Sequence, residues 1–183
     1  MDIPTNITRP TLTILVPGIV AVTPWLLALV QHTDATLGFD DYPTLAHAAL
    51  LSTVIVAGAL CEGLGTWLES SWDKSREAEL EVSEHWYAYL SRSLEKEPVG
   101  YRYLSRLATA MYFELSMFFA APSFVIGAGF LAFLRFPELF WLEFAATLIL
   151  AGGSMVFFSW QAHNTHKVIC TTRREIMRRV GVA

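Results

Sequence analysis

The chain has 183 residues, of which 54% are hydrophobic and 16% are charged. Its mean hydropathy of +0.41 lies above the range of soluble globular proteins, and its formal net charge of −4 gives no reason to expect a nucleic-acid partner. The length leaves room for several membrane spans and one modest polar segment, and it excludes a separate globular domain.

Four segments are free of Asp, Glu, Lys and Arg over a length that can cross a bilayer, namely residues 10–33, 42–61, 115–134 and 144–162. A transmembrane helix needs about 20 apolar residues to cross a hydrocarbon core of about 30 Å. We therefore predict an all-α, polytopic membrane protein. Its four transmembrane helices form a single domain and lie at about residues 11–31, 44–68, 107–134 and 139–161.

Spans one, two and three carry residues that shape helix packing. Pro24 in span one is expected to kink the helix and to free a backbone carbonyl, as is Pro122 in span three. In span two, Ala59 and Gly63 form a pair of small residues four positions apart. Such a pair lets another helix approach closely, so it favours oligomerisation or tight packing within the chain.

Two acidic residues interrupt the apolar helices near one membrane face. Glu62 lies past the midpoint of span two and Glu114 lies before the midpoint of span three, so we expect both at a similar depth, roughly 9 Å from the bilayer centre. A carboxylate at that depth should face protein or water. Glu69 follows Glu62 by seven residues, so it either continues an acidic stripe or marks the end of the span.

Residues 69–106 form the polar segment between spans two and three. Residues 75–96 hold no Pro or Gly and place apolar side chains at helical spacing, which predicts an amphipathic helix on the membrane surface. Trp86, Tyr87 and Tyr89 on this helix are candidates for binding a soluble partner, because Tyr and Trp are enriched at protein interfaces.

After span four, helix is expected to continue through residues 163–180, within a basic tail at residues 163–183. The basic residues of the tail are expected to bind anionic lipid, and they are Lys167, Arg173, Arg174, Arg178 and Arg179. His163 and His166 are spaced as H-x-x-H, but five His in the whole chain are too few for a membrane metal enzyme. We expect headgroup contact for both, with no metal and no cofactor.

Lys and Arg set the predicted orientation. One precedes span one, none lies between spans one and two, six lie between spans two and three, one lies between spans three and four, and five follow span four. Since cytoplasmic loops carry the excess of Lys and Arg, both termini are predicted to be cytoplasmic in a multi-pass protein of the cell inner membrane.

The residues favour three functions in order. The first is a homo-oligomer that forms or gates an ion-permeable path bordered by Glu62, Glu114 and Glu69, for example as a membrane-perturbing effector in phage defence. The second is a non-conducting anchor or accessory subunit that recruits a soluble cytoplasmic partner. A membrane-embedded enzyme comes third, because the chain lacks a recognisable catalytic set, and we expect no catalytic residues.

Overall fold

The computed structural model describes residues 11–33, 42–80 and 99–180, and the side chains of residues 11–31, 42–72 and 103–179. Helix α1 opens with a π-helical turn, Thr11–Leu15, and continues as Val16–Thr33. Helix α2 is Pro43–Leu80 and helix α3 is Val99–Arg135. A short 3₁₀ turn, Pro137–Leu139, leads into helix α4, Phe140–Val180. Within the described ranges the regular structure is entirely helical.

Four of the described helices are long and apolar enough to cross a membrane. The prediction of an all-helical chain with four helices that could span a membrane is confirmed for the described residues. Pro24 and Pro122 both lie inside helices that continue past them, in α1 and α3.

Three of the helices are much longer than a bilayer is thick. Helices α2, α3 and α4 have 38, 37 and 41 residues, which corresponds to lengths of about 57, 56 and 62 Å. A hydrocarbon core of about 30 Å accommodates only half of each. The remaining length lies at the end of α2, the beginning of α3 and the end of α4, so these parts form an extension on one side, here termed the extended end. The opposite side, with the α3–α4 turn at Phe136, is the turn end.

The predicted amphipathic helix at residues 75–96 is not separate at its start, because α2 runs without a break to Leu80. Most of that segment, with Trp86, Tyr87 and Tyr89, lies outside the described residues. The helical continuation of span four is confirmed, since α4 is unbroken to Val180.

Helix α3 is the centre of the arrangement. It packs against all three other helices, and α1, α2 and α3 also pack against one another, whereas α4 packs mainly on α3. Contacts between the helices show the directions in which they run. Ser123 meets Ala21 and Gly127 meets Pro24, so α1 and α3 run in parallel. Helices α2 and α4 run antiparallel to α3, so the end of α2 and the beginning of α3 lie on the side where α4 ends.

Glycines permit the closest approaches between helices. A Cβ atom on Gly18 would collide with the carbonyl oxygen of Val54, and one on Gly58 would collide with the carbonyl oxygen of Ile14. Helices α1 and α2 therefore cross backbone to backbone. Gly65 permits a similarly close approach between α2 and α3, since an added Cβ would lie 2.9 Å from the Cβ of Leu115. Gly63, by contrast, has nothing within 4 Å of a Cβ position.

Two apolar clusters hold the helices together. One joins Ala21, Cys61 and Ala120 from the first three helices. The other lies towards the extended end and unites the buried residues Leu104, Met111, Leu115, Ala162 and Ile169, with Trp72 and Ile176 packed against them. The extended end thus has a packed interior of its own, and its helices are not isolated rods.

Candidate functional site

A line of polar side chains runs along the face of α4 that meets α3. Its members, here called the polar seam, are Glu143, Thr147, Ser154, Gln161 and Thr165, and all of them are partly buried. Spacings of four and seven residues keep them on one helical face. Such a line is unusual in a span that otherwise holds apolar and small residues.

Contacts with α3 are present along the seam. Gly129 of α3 has no side chain, and this lets the Thr147 side chain lie directly against the α3 backbone. Glu143 lines a pocket with α3 residues near the turn end. Towards the extended end, Gln161 and Thr165 form hydrogen bonds with the carboxylate of Glu114. Ser154, between these points, donates a hydrogen bond to the Ala151 carbonyl of its own helix, at 2.7 Å.

Glu114 is the most deeply buried acidic residue among the described side chains, at 6% exposure. The α3 backbone around it is enclosed on two sides: the next residue, Leu115, packs on Gly65 of α2, and Glu114 points to α4. Its Oε2 atom is buried and has no hydrogen-bond partner in the described part of the chain. A carboxylate with one unsatisfied oxygen at membrane depth is costly, so this residue is the strongest candidate for a functional group.

A second group of polar side chains borders Glu114 on the extended side. His166 is buried, at 2% exposure. The Trp72 ring contacts the rings of His163 and His166 at centroid distances of 5.6 and 6.2 Å, and the Cys170 Sγ atom lies 4.0 Å from His166 Nε2. The expectation that His166 contacts headgroups is wrong, because the residue is buried within the chain, beside Trp72 of α2. His163 is exposed.

The length of the seam matches the membrane. Glu114 lies level with residues 161–165 of α4, which are about 20 residues from Glu143, or about 30 Å along the helix. The distance between the two carboxylates along α4 is therefore similar to the thickness of a hydrocarbon core, about 30 Å. Between them, polar groups recur every 6 to 10 Å, roughly, which exceeds hydrogen-bond length. The seam can pass a proton or cation only when water enters it.

The structure does not pair Glu62 with Glu114. Gly65 meets Leu115 and Cys61 clusters with Ala120, so Glu62 lies about one helical turn, roughly 6 Å, nearer the turn end than Glu114. Glu62 and Glu69 are both partly buried on the edge of the α2 face that packs inward. The predicted common depth of Glu62 and Glu114 is therefore replaced by an offset of one turn.

The basic tail residues differ in their surroundings. Lys167, Arg174, Arg178 and Arg179 are exposed, whereas Arg173 is partly buried. Glu175 binds Arg179 at 2.8 Å and Arg178 at 3.4 Å. Exposed pairs of this kind contribute little to stability, because water screens them. Lipid binding by the tail stays a prediction.

Within the described residues there is no group of three or more His, Cys, Asp or Glu side chains that could hold a metal ion. No family model, no curated protein and no solved structure matches this chain.

Sequence reasoning found Glu114 but missed Gln161, Thr165 and the role of Glu143. A signal was present, since Thr147, Ser154 and Gln161 follow one another at seven-residue intervals, and Glu143 and Thr165 extend the same face by four residues at each end. Seven residues are close to two helical turns, so this spacing alone places the polar groups on one side of span four.

Proposed function

We propose that this chain forms or gates a cation-permeable path as a homo-oligomer in the cell inner membrane. The observation that carries the proposal is the Glu114 carboxylate, buried in a membrane-spanning helix with one oxygen unpartnered within the described residues and with Gln161 and Thr165 beside it. Carboxylates attract cations and exchange protons, and acidic residues inside spans mark ion or proton pathways in membrane proteins.

The charge and polarity of the seam support a cation rather than an anion. The charged groups along it are acidic, namely Glu143 in the seam and Glu114 of α3 beside it, and the other members of the seam offer neutral oxygens and one amide. Carbonyl, hydroxyl and carboxylate oxygens replace the water around a cation. An anion would meet two negative charges, one near each membrane face.

A single chain in this conformation is closed, because Glu114 is buried and the polar groups of the seam are too far apart for direct transfer. Opening requires that α4 separate from α3. Helix α4 is suited to such movement, since it packs mainly on α3 while the other three helices hold one another. Of the 18-residue apolar stretch of α4, only 6% is buried within the chain, compared with 33% for the corresponding stretch of α1.

The oligomer follows from the small size of the chain. Four helices do not enclose a water-filled channel, so water that reaches the seam must be shielded from lipid by other copies. Helix α4 can approach a neighbour closely at Gly152 and Gly153, where added Cβ atoms would meet nothing within 4 Å. In this arrangement the seams of several copies surround one shared path.

The test is proton and potassium flux in liposomes containing the purified chain, driven by a membrane potential. We expect the native chain to leak above protein-free liposomes and Glu114→Gln to reduce that leak by at least tenfold, because the variant cannot carry the charge. The matched control is Glu138→Gln, the same change in the exposed turn before α4. Equal leak from the Glu114 and Glu138 variants, or a native chain as tight as lipid alone, would contradict the proposal.

A second function is favoured by a different observation, the extended end. Helices α2, α3 and α4 are about 26–32 Å longer than the bilayer requires, and buried Leu104, Ile169 and Met177 give this projection a packed interior. Such a projection suits an anchor that presents a surface to a soluble partner. Capture of one soluble protein that is lost on Trp86→Ala, with tight liposomes throughout, would favour this function over the cation path.

A further inference from the structure

A pocket of about 280 Å³ lies between α3 and α4 at the turn end. Its walls are four phenylalanine rings, aliphatic side chains and one acid. The rings belong to Phe130, Phe133, Phe140 and Phe144. Phe140 is the centre of the aromatic group, since its ring lies 5.4 Å from Phe133 and 6.0 Å from Phe144, measured between ring centroids.

The single charged group in the lining is Glu143. Its Oε2 atom is buried and lacks a hydrogen-bond partner within the described residues. Gly129 and Thr147 complete this side of the pocket. Helix α4 therefore places a carboxylate beside apolar side chains. The attraction between this carboxylate and a cation is stronger there than in water, because the local dielectric constant is lower.

The pocket combines the two features that bind organic cations. Aromatic faces attract a cation through the ring quadrupole, and a carboxylate supplies the neutralising charge. A metal ion would lack the several oxygen ligands it requires. An uncharged apolar molecule would leave Glu143 unsatisfied.

The size and the exposure of the pocket define the ligand further. Drug-sized ligands occupy about 300–1,000 Å³, so 280 Å³ suits a small ion with short carbon substituents. All four phenylalanines are between 37% and 47% exposed on the surface of the chain. A ligand can therefore enter sideways, from the lipid, near the membrane face.

We propose that this pocket binds a small organic ammonium ion, which Glu143 neutralises and the phenylalanine rings surround. The ion is either a free amine with apolar substituents or the amine headgroup of a lipid, since both have the same charged end. This inference concerns binding alone and does not require that the chain conduct ions.

The experiment measures binding of radiolabelled tetraethylammonium to the full chain in nanodiscs of phosphatidylglycerol, a lipid without an amine. We expect saturable binding that Glu143→Gln weakens at least tenfold, equivalent to about 1.4 kcal/mol. Glu143→Asp should retain most of the affinity, and Phe144→Leu, which removes a ring but keeps an apolar side chain, should weaken binding severalfold. Glu138→Gln is the matched control and should leave affinity unchanged.

Two further measurements distinguish a lipid headgroup from a free amine and test whether the pocket binds uncharged apolar molecules equally well. If phosphatidylethanolamine in the disc competes with the probe in the native chain but not in the Glu143→Gln variant, the natural occupant is a lipid headgroup. If it does not compete, a free amine is the occupant. The uncharged isostere tetraethylmethane should bind far more weakly than the cation.

The proposal is overturned if no saturable binding occurs, if Glu143→Gln binds as tightly as the native chain, or if the isostere binds equally well. Circular dichroism and thermal unfolding check that each variant is folded. If Glu143→Gln is not folded, the Phe144→Leu and Glu143→Asp affinities decide.

Discussion

Replacing Gly58 with alanine tests the helix crossing on which the arrangement of α1, α2 and α3 depends. An added Cβ at this position collides with the carbonyl oxygen of Ile14 and would lie 3.1 Å from the Ile14 Cγ2 atom. Backbone atoms cannot move aside as a side chain can, so α1 and α2 must separate. Overpacking of this kind costs about 1–3 kcal/mol.

The matched control is Gly63→Ala in the same helix, where the new methyl group meets nothing within 4 Å. Both changes gain the same helix propensity, about 1 kcal/mol, so the difference between the two variants isolates the collision. Reversible unfolding of the chain in mild detergent with added denaturing surfactant measures both free energies. We expect Gly58→Ala to be less stable than Gly63→Ala by about 1–3 kcal/mol. Equal stability would show that α1 and α2 do not cross at Gly58.

Two other predictions concern single side chains. Ser123 accepts a hydrogen bond from the Trp25 indole N–H at 3.2 Å and donates one to the Ala21 carbonyl at 3.1 Å, so Ser123→Ala should destabilise the chain by about 1 kcal/mol. Ser154→Ala loses only a bond within its own helix, so it should destabilise the chain less. If the same unfolding assay shows the reverse order, the α1–α3 contact is contradicted. Cys61 is buried and Cys170 is partly exposed, so a maleimide should label Cys170 in native detergent-solubilised protein at least about tenfold faster than Cys61. Similar rates, followed by mass spectrometry, would contradict the packing around Cys61.

The four long apolar helices could be predicted from the sequence because charge-free runs of about 20 residues have few other structures. The continuation of α4 to Val180 was predictable for a similar reason, since no Pro or Gly interrupts residues 154–180. The same absence between Gly65 and Leu80 indicates that α2 continues, although its polar composition suggested a separate surface helix from residue 75.

Helix contacts could not be predicted, because spans that are apolar on every face do not reveal which face meets another helix. Ala59 and Gly63 looked like the packing pair, yet the structure uses Gly58 and Gly65, and Ala59 and Gly63 are exposed. The offset between Glu62 and Glu114 has the same origin. Depth was estimated from the midpoints of the spans, whereas the contact of Gly65 with Leu115 fixes the true register.

The candidate site was predictable in part. Glu114 stands out because a charge inside a span is rare and costly. Its partners Gln161 and Thr165 are common polar residues near a membrane face, and only the packing of α4 on α3 shows that they lie beside it. His166 was misplaced for a related reason, since a histidine just beyond a span contacts headgroups unless the helices continue to pack, as they do here.

The most direct test of the central claim is to lock the polar seam and to measure flux. Gly129→Cys and Thr147→Cys, in a chain with Cys61→Ala and Cys170→Ala, place two thiols where a Cβ on residue 129 lies 3.1 Å from the Cβ of residue 147, near the 3.5–4.5 Å of a disulfide. We predict that oxidation lowers cation flux in liposomes to the level of lipid alone and that a reductant restores it. Undiminished flux through the fully cross-linked chain would contradict a path between α3 and α4.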